Sequence, residues 1–213
     1  LKTGAVAWGS VEVPDTITTP EGVAFRPNLI ATTSHDGSLA STFARMVTVV
    51  VCDNTLSAAL GEQGQRVKIK HSRKSAGRIG ELRDALNIVH TMADDFAAEV
   101  AELCATDVST RQWQAFLDEY VPIPKEDGRG KTVAGNKQDT LNALYTSDPR
   151  CSPWSGSAFG VVQTVNTYTH HVAGKKTNAE RAERNMFRAI DPGTTGIDAL
   201  DSNTLNTLRK VLV

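Results

Sequence analysis

The chain has 213 residues, and its 23 lysines and arginines nearly balance its 24 aspartates and glutamates, for a formal charge of −1. That length buries a sizeable core without staples, so one α+β domain over 1–213 is expected, and the charge gives no sign of a polyanionic partner unless it is concentrated locally. The three cysteines, Cys52, Cys104 and Cys151, are odd in number, far apart and form no Cys-x-x-Cys pair, which argues against a cysteine zinc cluster or a disulfide framework and fits a reducing cytoplasm.

The first 71 residues read as an antiparallel meander of about four strands: Ala5 to Val13, Asn28 to Ser34, Thr42 to Cys52 and Gln65 to His71. Pro-Asp, Thr-Pro-Glu-Gly, His-Asp-Gly-Ser and Gly-Glu-Gln-Gly supply turn chemistry between them. From residue 72 to 213 the period becomes helical. A long helix is expected from Ser75 to Leu103, with Ile79, Leu82, Leu86, Val89, Ala93, Phe96, Val100 and Leu103 in one seam. This seam reads as an amphipathic face lying on the sheet, with self-association as the alternative.

Ser109 and Gln112 have capping-box spacing ahead of Trp113, Phe116 and Leu117, and Pro122 and Pro124 stop that helix. A charged loop over Lys125 to Lys131 precedes a helix over Val133 to Tyr145. A second loop, Ser147 to Gly156, precedes a helix over Ala158 to His171 with Ala158, Val162, Val165 and Thr169 on one face. Asn178 is the expected cap of Ala179 to Ile190, and Ser202 that of a last helix carrying Leu205, Leu208 and Leu212. No run is long and apolar enough to span a bilayer, and no signal peptide is visible. The chain opens on Leu1 instead of methionine, so a preceding segment is expected.

The strongest chemical signal is local. Arg66, Lys68, Lys70, Arg73, Lys74, Arg78 and Arg83 stand against the single acid Glu81. On a strand, period two puts Arg66, Lys68 and Lys70 on one face; Lys74 and Arg78 continue that surface onto a helix start. Cations there oppose the helix dipole by roughly 0.3–1 kcal/mol each, which a bound phosphate would offset. The alternative is a solvated cationic face or a lysine-protected edge strand.

A second constellation, His35, Asp36, Asp53 and His71, with the pair His170 and His171, has the residue types of a metal-dependent nuclease or hydrolase but none of the spacings. His35-Asp36-Gly37-Ser38 reads more simply as a hairpin turn, and Asp53-Asn54-Thr55 as a cap. Trp8, Phe25, Phe43 and Trp154 are candidates for base stacking or for the core. Ala179-Glu180-Arg181-Ala182-Glu183-Arg184-Asn185 reads as a solvated helix face with internal ion pairs. No catalytic residue, metal or cofactor is assigned.

Five segments carry a family resemblance: Ala31-Thr32-Thr33-Ser34-His35-Asp36-Gly37-Ser38, Val50-Val51-Cys52-Asp53-Asn54-Thr55-Leu56, Lys70-His71-Ser72, Trp154-Ser155-Gly156-Ser157-Ala158-Phe159-Gly160-Val161-Val162 and Arg181-Ala182-Glu183-Arg184-Asn185. In them the chain resembles the phage and plasmid family built on domain of unknown function 932, of actinobacteriophage type. Asp53 departs from the asparagine commoner in that motif, which weakens a catalytic reading of the position. The resemblance implies DNA metabolism in the cytoplasm of a bacterial host. The expected function is non-enzymatic binding or annealing of single-stranded DNA by a homo-oligomer with no membrane partner, its fold similar in outline to phage single-strand annealing proteins. Arg66, Lys68, Lys70, Arg73, Lys74 and Arg78 would grip phosphates, with Arg45 extending the surface. The rivals are the metal-dependent nuclease and a protein-interaction module built on the seam helix.

Overall fold

The computed structural model describes residues 6–12, 15–36, 41–50, 54–57, 67–69, 93–174, 177–191 and 193–213. Strands β1 (Val6–Glu12), β2 (Ile17–Thr18), β3 (Ala24–Ser34), β4 (Ser41–Val49), β5 (Asn54–Ser57) and β6 (Val67–Ile69) form one antiparallel sheet. It is followed by helices, which makes the protein α+β. β3 lies beside β1 and β2 on one side and β4 on the other; β5 and β6 sit end to end along the far side of β4.

Two elements depart from the sequence expectation. Asn54 and Thr55, expected to cap the next element, instead open strand β5, pairing with Val49 and Thr48 along that side of β4. β3 begins four residues earlier than Asn28 and runs through Pro27. The reason is visible in the register: β1 pairs with β3 from Asn28 onward and β2 only at Ala24 and Phe25. Val50 donates to the Ala24 carbonyl, so residues 24, 26 and 28 face β4 and residue 27 faces the gap between β1 and β2. A proline there leaves no ladder bond unmade.

The sheet buries residues on both faces. Phe25, Val47 and Val49 join Phe96 and Val100 of α1 (residues 93–105), Phe159 and Val162 of α4 (Ala158–Thr167) and Leu205 of α6 (Ile197–Leu212). Ile30 and Met46, of the opposite parity, pack with Met186, Phe187 and Ala189 of α5 (Asn178–Ile190) and with Ile197. The middle of β3, Pro27 to Ile30, is accordingly buried without alternation. In the described part of the seam helix, Ala93, Phe96 and Val100 are spent on this core, with the Phe96 ring edge-on to Phe25 at 4.8 Å. The seam positions before Ala93 lie outside the described residues.

A second core joins α2 (Thr110–Tyr120), α3 (Arg129–Ser147), α4 and α6 around Trp113, Phe116, Leu141, Tyr145 and Leu208. The Ser109–Gln112 capping box forms, and α2 ends at Tyr120 before the prolines. Helix α3 starts at Arg129, so Lys131 already belongs to it. Helix α4 stands between the two cores, and all ten of its residues are buried, which is why no single apolar face describes it.

Two caps also differ. Thr177, not Asn178, caps α5, its hydroxyl accepting from the Glu180 amide while the Glu180 carboxylate accepts from the Thr177 amide. Helix α6 starts at Ile197, with Asp198 in the first turn favoured by the dipole, and Ser202 lies within it.

Candidate functional site

The basic strand is present in part. Lys68 is the middle residue of β6 and pairs with Thr42, Thr42 pairs with Thr32, and Thr32 with Trp8, so the four occupy one row across the sheet. Arg45 pairs with Leu29, three residues along β4 from Thr42. An odd step puts it in the other alternating set, out of the row that holds Lys68. Arg66, Lys70, Arg73, Lys74 and Arg78 lie outside the described residues, as do Asp53 and His71. His35 and Asp36 are exposed on the bend after β3. Among the described residues no three histidine, cysteine, aspartate or glutamate side chains are grouped to hold a metal.

The aromatic candidates separate. Phe25 is fully buried, and Trp154 packs edge-on to Phe159 while its indole N–H donates to the Glu21 carbonyl at 3.1 Å. Trp8 is 47% exposed and remains available for stacking.

A cleft that sequence reasoning did not anticipate lies on the α5 side of the sheet. Helix α4 continues into a π-helical turn, Tyr168–Val172, closed by the Ala173 amide donating to the Tyr168 carbonyl at 2.7 Å. The end of such a helix leaves carbonyls without amide partners. Side chains from α5 supply them. Arg184 donates to the carbonyls of Ala173 at 2.6 Å, Thr169 at 2.9 Å and His170 at 3.1 Å. Arg188 reaches Thr169, Arg181 reaches His171, and Asn185 reaches His170.

The expectation of a solvated face with internal ion pairs is therefore corrected: three guanidiniums and an amide cap a helix C-terminus, where cations are favoured. The signal was in the sequence. Arg181, Arg184, Asn185 and Arg188 follow the three-four spacing of one helix stripe, apart from Glu183.

The cleft, about 390 Å³, is walled by Ile30, Ala182, Met186 and Ala189 and by the polar groups of His170, His171, Asn178, Arg181 and Asn185. His170 is 1% exposed, and among the described residues neither ring nitrogen has a hydrogen-bond partner. Burial first, then the nearby His171, Arg188 and Arg184, drive its pKa down to about 3. The ring is thus neutral at physiological pH. Because the unfolded chain takes up this proton near pH 6.5 and the folded chain does not, stability is fully present above pH 6.5 and falls as pH drops toward 3. The expected slope is about 1.4 kcal/mol per pH unit. His170→Asn should remove that slope between pH 6 and 4.5 in denaturant titrations, whatever it does to absolute stability.

The motif around Trp154 has a structural role. Gly156 adopts a φ of +87°, Ser157 caps α4 by accepting from the Gly160 amide at 3.2 Å, and the Ser155 hydroxyl donates to the Tyr145 carbonyl. A family model described as a domain of unknown function (DUF932) matches residues 1–191. The chain belongs to the DUF932 family. Neither a curated protein nor a solved structure matches it. Both the basic strand and the arginine cap of the cleft fall within the DUF932 match, whereas α6, whose Leu205 and Leu208 enter the two cores, lies beyond it. Among the described residues no helix is long and apolar enough to cross a membrane.

Proposed function

We propose that this DUF932 protein binds single-stranded DNA without enzymatic chemistry, along the β6 edge of its sheet and the basic segment that follows. The annealing of strands by an oligomeric form, in phage or mobile-element DNA metabolism, is the activity such binding would serve. One observation carries the reading: residues 66–83 hold seven cations against one acid, a local charge of +6, while the rest of the chain carries −7. In a chain of that balance a polyanion is attracted to one place and repelled elsewhere.

The placement of Lys68 supports this. Among the described residues β6 pairs only with β4, so Lys68 stands on a sheet edge. Exposed Trp8 shares its row three strands away, about 14 Å at the usual strand spacing. Cations that follow the backbone are the part of sequence-tolerant single-strand binding that the β6 edge supplies, whereas Trp8 stands on the opposite edge with buried Thr32 and Thr42 between.

The test is Lys68→Glu combined with Lys70→Glu and Lys74→Glu, measured by fluorescence anisotropy on oligo-dT at low salt. Affinity should fall at least about tenfold, and the dependence of affinity on salt should flatten, since fewer counterions are released. Unchanged affinity in a variant with an unaltered melting curve would overturn the proposal. The same titration on oligo-U distinguishes DNA from RNA as the preferred strand.

A further inference from the structure

We infer that the cleft between the π-helical turn, α5 and β3 is a binding site for a small organic anion, a carboxylate or phosphate ester with a compact apolar body. The inference is independent of the basic edge. Three observations lead to it.

The first is His170. A neutral imidazole has one donor and one acceptor, and here both ring nitrogens are buried without partners among the described residues while the side chain lines the cleft. Buried polar atoms are nearly always satisfied, and an orphaned pair facing a cavity marks where a ligand's polar atoms belong. The Nε of Arg184, an α5 side chain that caps the same turn, is buried without a hydrogen-bond partner among the described residues.

The second is the local charge. Arg181, Arg184 and Arg188 gather on one stripe of α5, and no ion pair among the described residues involves any of them. Their partners are backbone carbonyls and the side-chain oxygens of Asn178 and Asn185. Carbonyl dipoles compensate a guanidinium only in part, so the site keeps a positive potential. Arg181, which lines the cleft, uses two of its five N–H groups on protein acceptors.

The third is the wall opposite. Ile30, Ala182, Met186 and Ala189 offer an apolar surface, and a volume of about 390 Å³ lies within the range of small-molecule sites. An anionic head on Arg181 and Asn178, an apolar body against Ala182 and Met186, and a hydroxyl or carbonyl on His170 would satisfy all three features together.

Phenyl phosphate, benzoate, inorganic phosphate and the neutral benzyl alcohol are the probes, titrated into the full chain while the His170 ring resonances are followed by NMR. Phenyl phosphate or benzoate should shift them saturably, with a dissociation constant of about 1 mM or tighter, and benzyl alcohol should not. Arg181→Gln should weaken that binding at least about tenfold. Ala182→Phe, a change at an exposed position, should block it while leaving the melting curve intact. This second variant keeps the test decisive should Arg181→Gln fail to fold.

The inference is overturned by the absence of a saturable shift, by equal binding of benzyl alcohol, or by binding that survives Ala182→Phe. Oligo-dT affinity should be unchanged in Ala182→Phe. Its loss would make the cleft part of the nucleic-acid surface and would refute a separate site, whereas failure of the Lys68 triple variant alone leaves the cleft standing.

Discussion

Gly160→Ala should cost about 3 kcal/mol of stability, seen as a lower denaturant midpoint with little change in slope. In an ordinary helix the same change stabilises by up to about 1 kcal/mol, so the sign itself is the prediction. A Cβ at position 160 would lie 2.7 Å from the carbonyl carbon of Trp154 and closer still to its oxygen. Neither partner can move away cheaply. The Trp154 carbonyl accepts from the hydroxyl of Ser157 at 2.8 Å and from its amide, and the Trp154 indole is tied to Glu21. On its other sides α4 is enclosed by both cores. Gly160→Ser should behave like alanine or worse, and a neutral result for either would refute the close-approach account.

Arg184→Met should destabilise by about 2–3 kcal/mol, although it keeps most of the side chain's apolar volume. The redundancy of the cap sets this size. Thr169 O retains Arg188 and His170 O retains Asn185, but among the described residues Ala173 O loses its side-chain donor. One half-buried carbonyl without its side-chain donor and a lost cation at a helix C-terminus account for the loss. Lysine should not rescue it, because one ammonium cannot reach carbonyls on both sides of the turn as a planar guanidinium does. Combining Arg184→Met with Arg188→Met should cost more than the two singles together, since Thr169 O is then abandoned as well.

What the sequence made legible follows from range. Capping of α2, its stop before Pro122, and the buried Trp113, Phe116 and Leu117 depend on residues within a few positions of one another, and they form as read. Strand β5 was missed because its four residues are a strand only by virtue of the unpaired side of β4, which no local pattern announces. The start of α6 was misplaced because a serine at position 202 is a good cap in isolation, while Asp198 and the burial of Ile197 decide otherwise.

The cleft was the least legible part. Arg181, Arg184 and Arg188 have obvious carboxylate neighbours in sequence, and only the π-helical turn, a tertiary consequence of where α4 runs, supplies better acceptors. By contrast the basic segment is evident from counting alone. Its geometry needs the sheet, and the register separates Arg45 from Lys68 where composition grouped them.

The burial of β3 on both sides has a consequence for how a polymer could approach. A sheet with one bare face offers a broad platform on which several nucleotides lie flat; here α5 occupies one side and α1, α4 and α6 the other around the middle strands. A DNA strand drawn to Lys68 would have to follow the rim, parallel to a three-residue strand about 10 Å long. Each copy would then cover only a few nucleotides at that rim. Binding stoichiometry should accordingly rise in small steps as the oligonucleotide lengthens, with neighbouring copies meeting edge to edge along it.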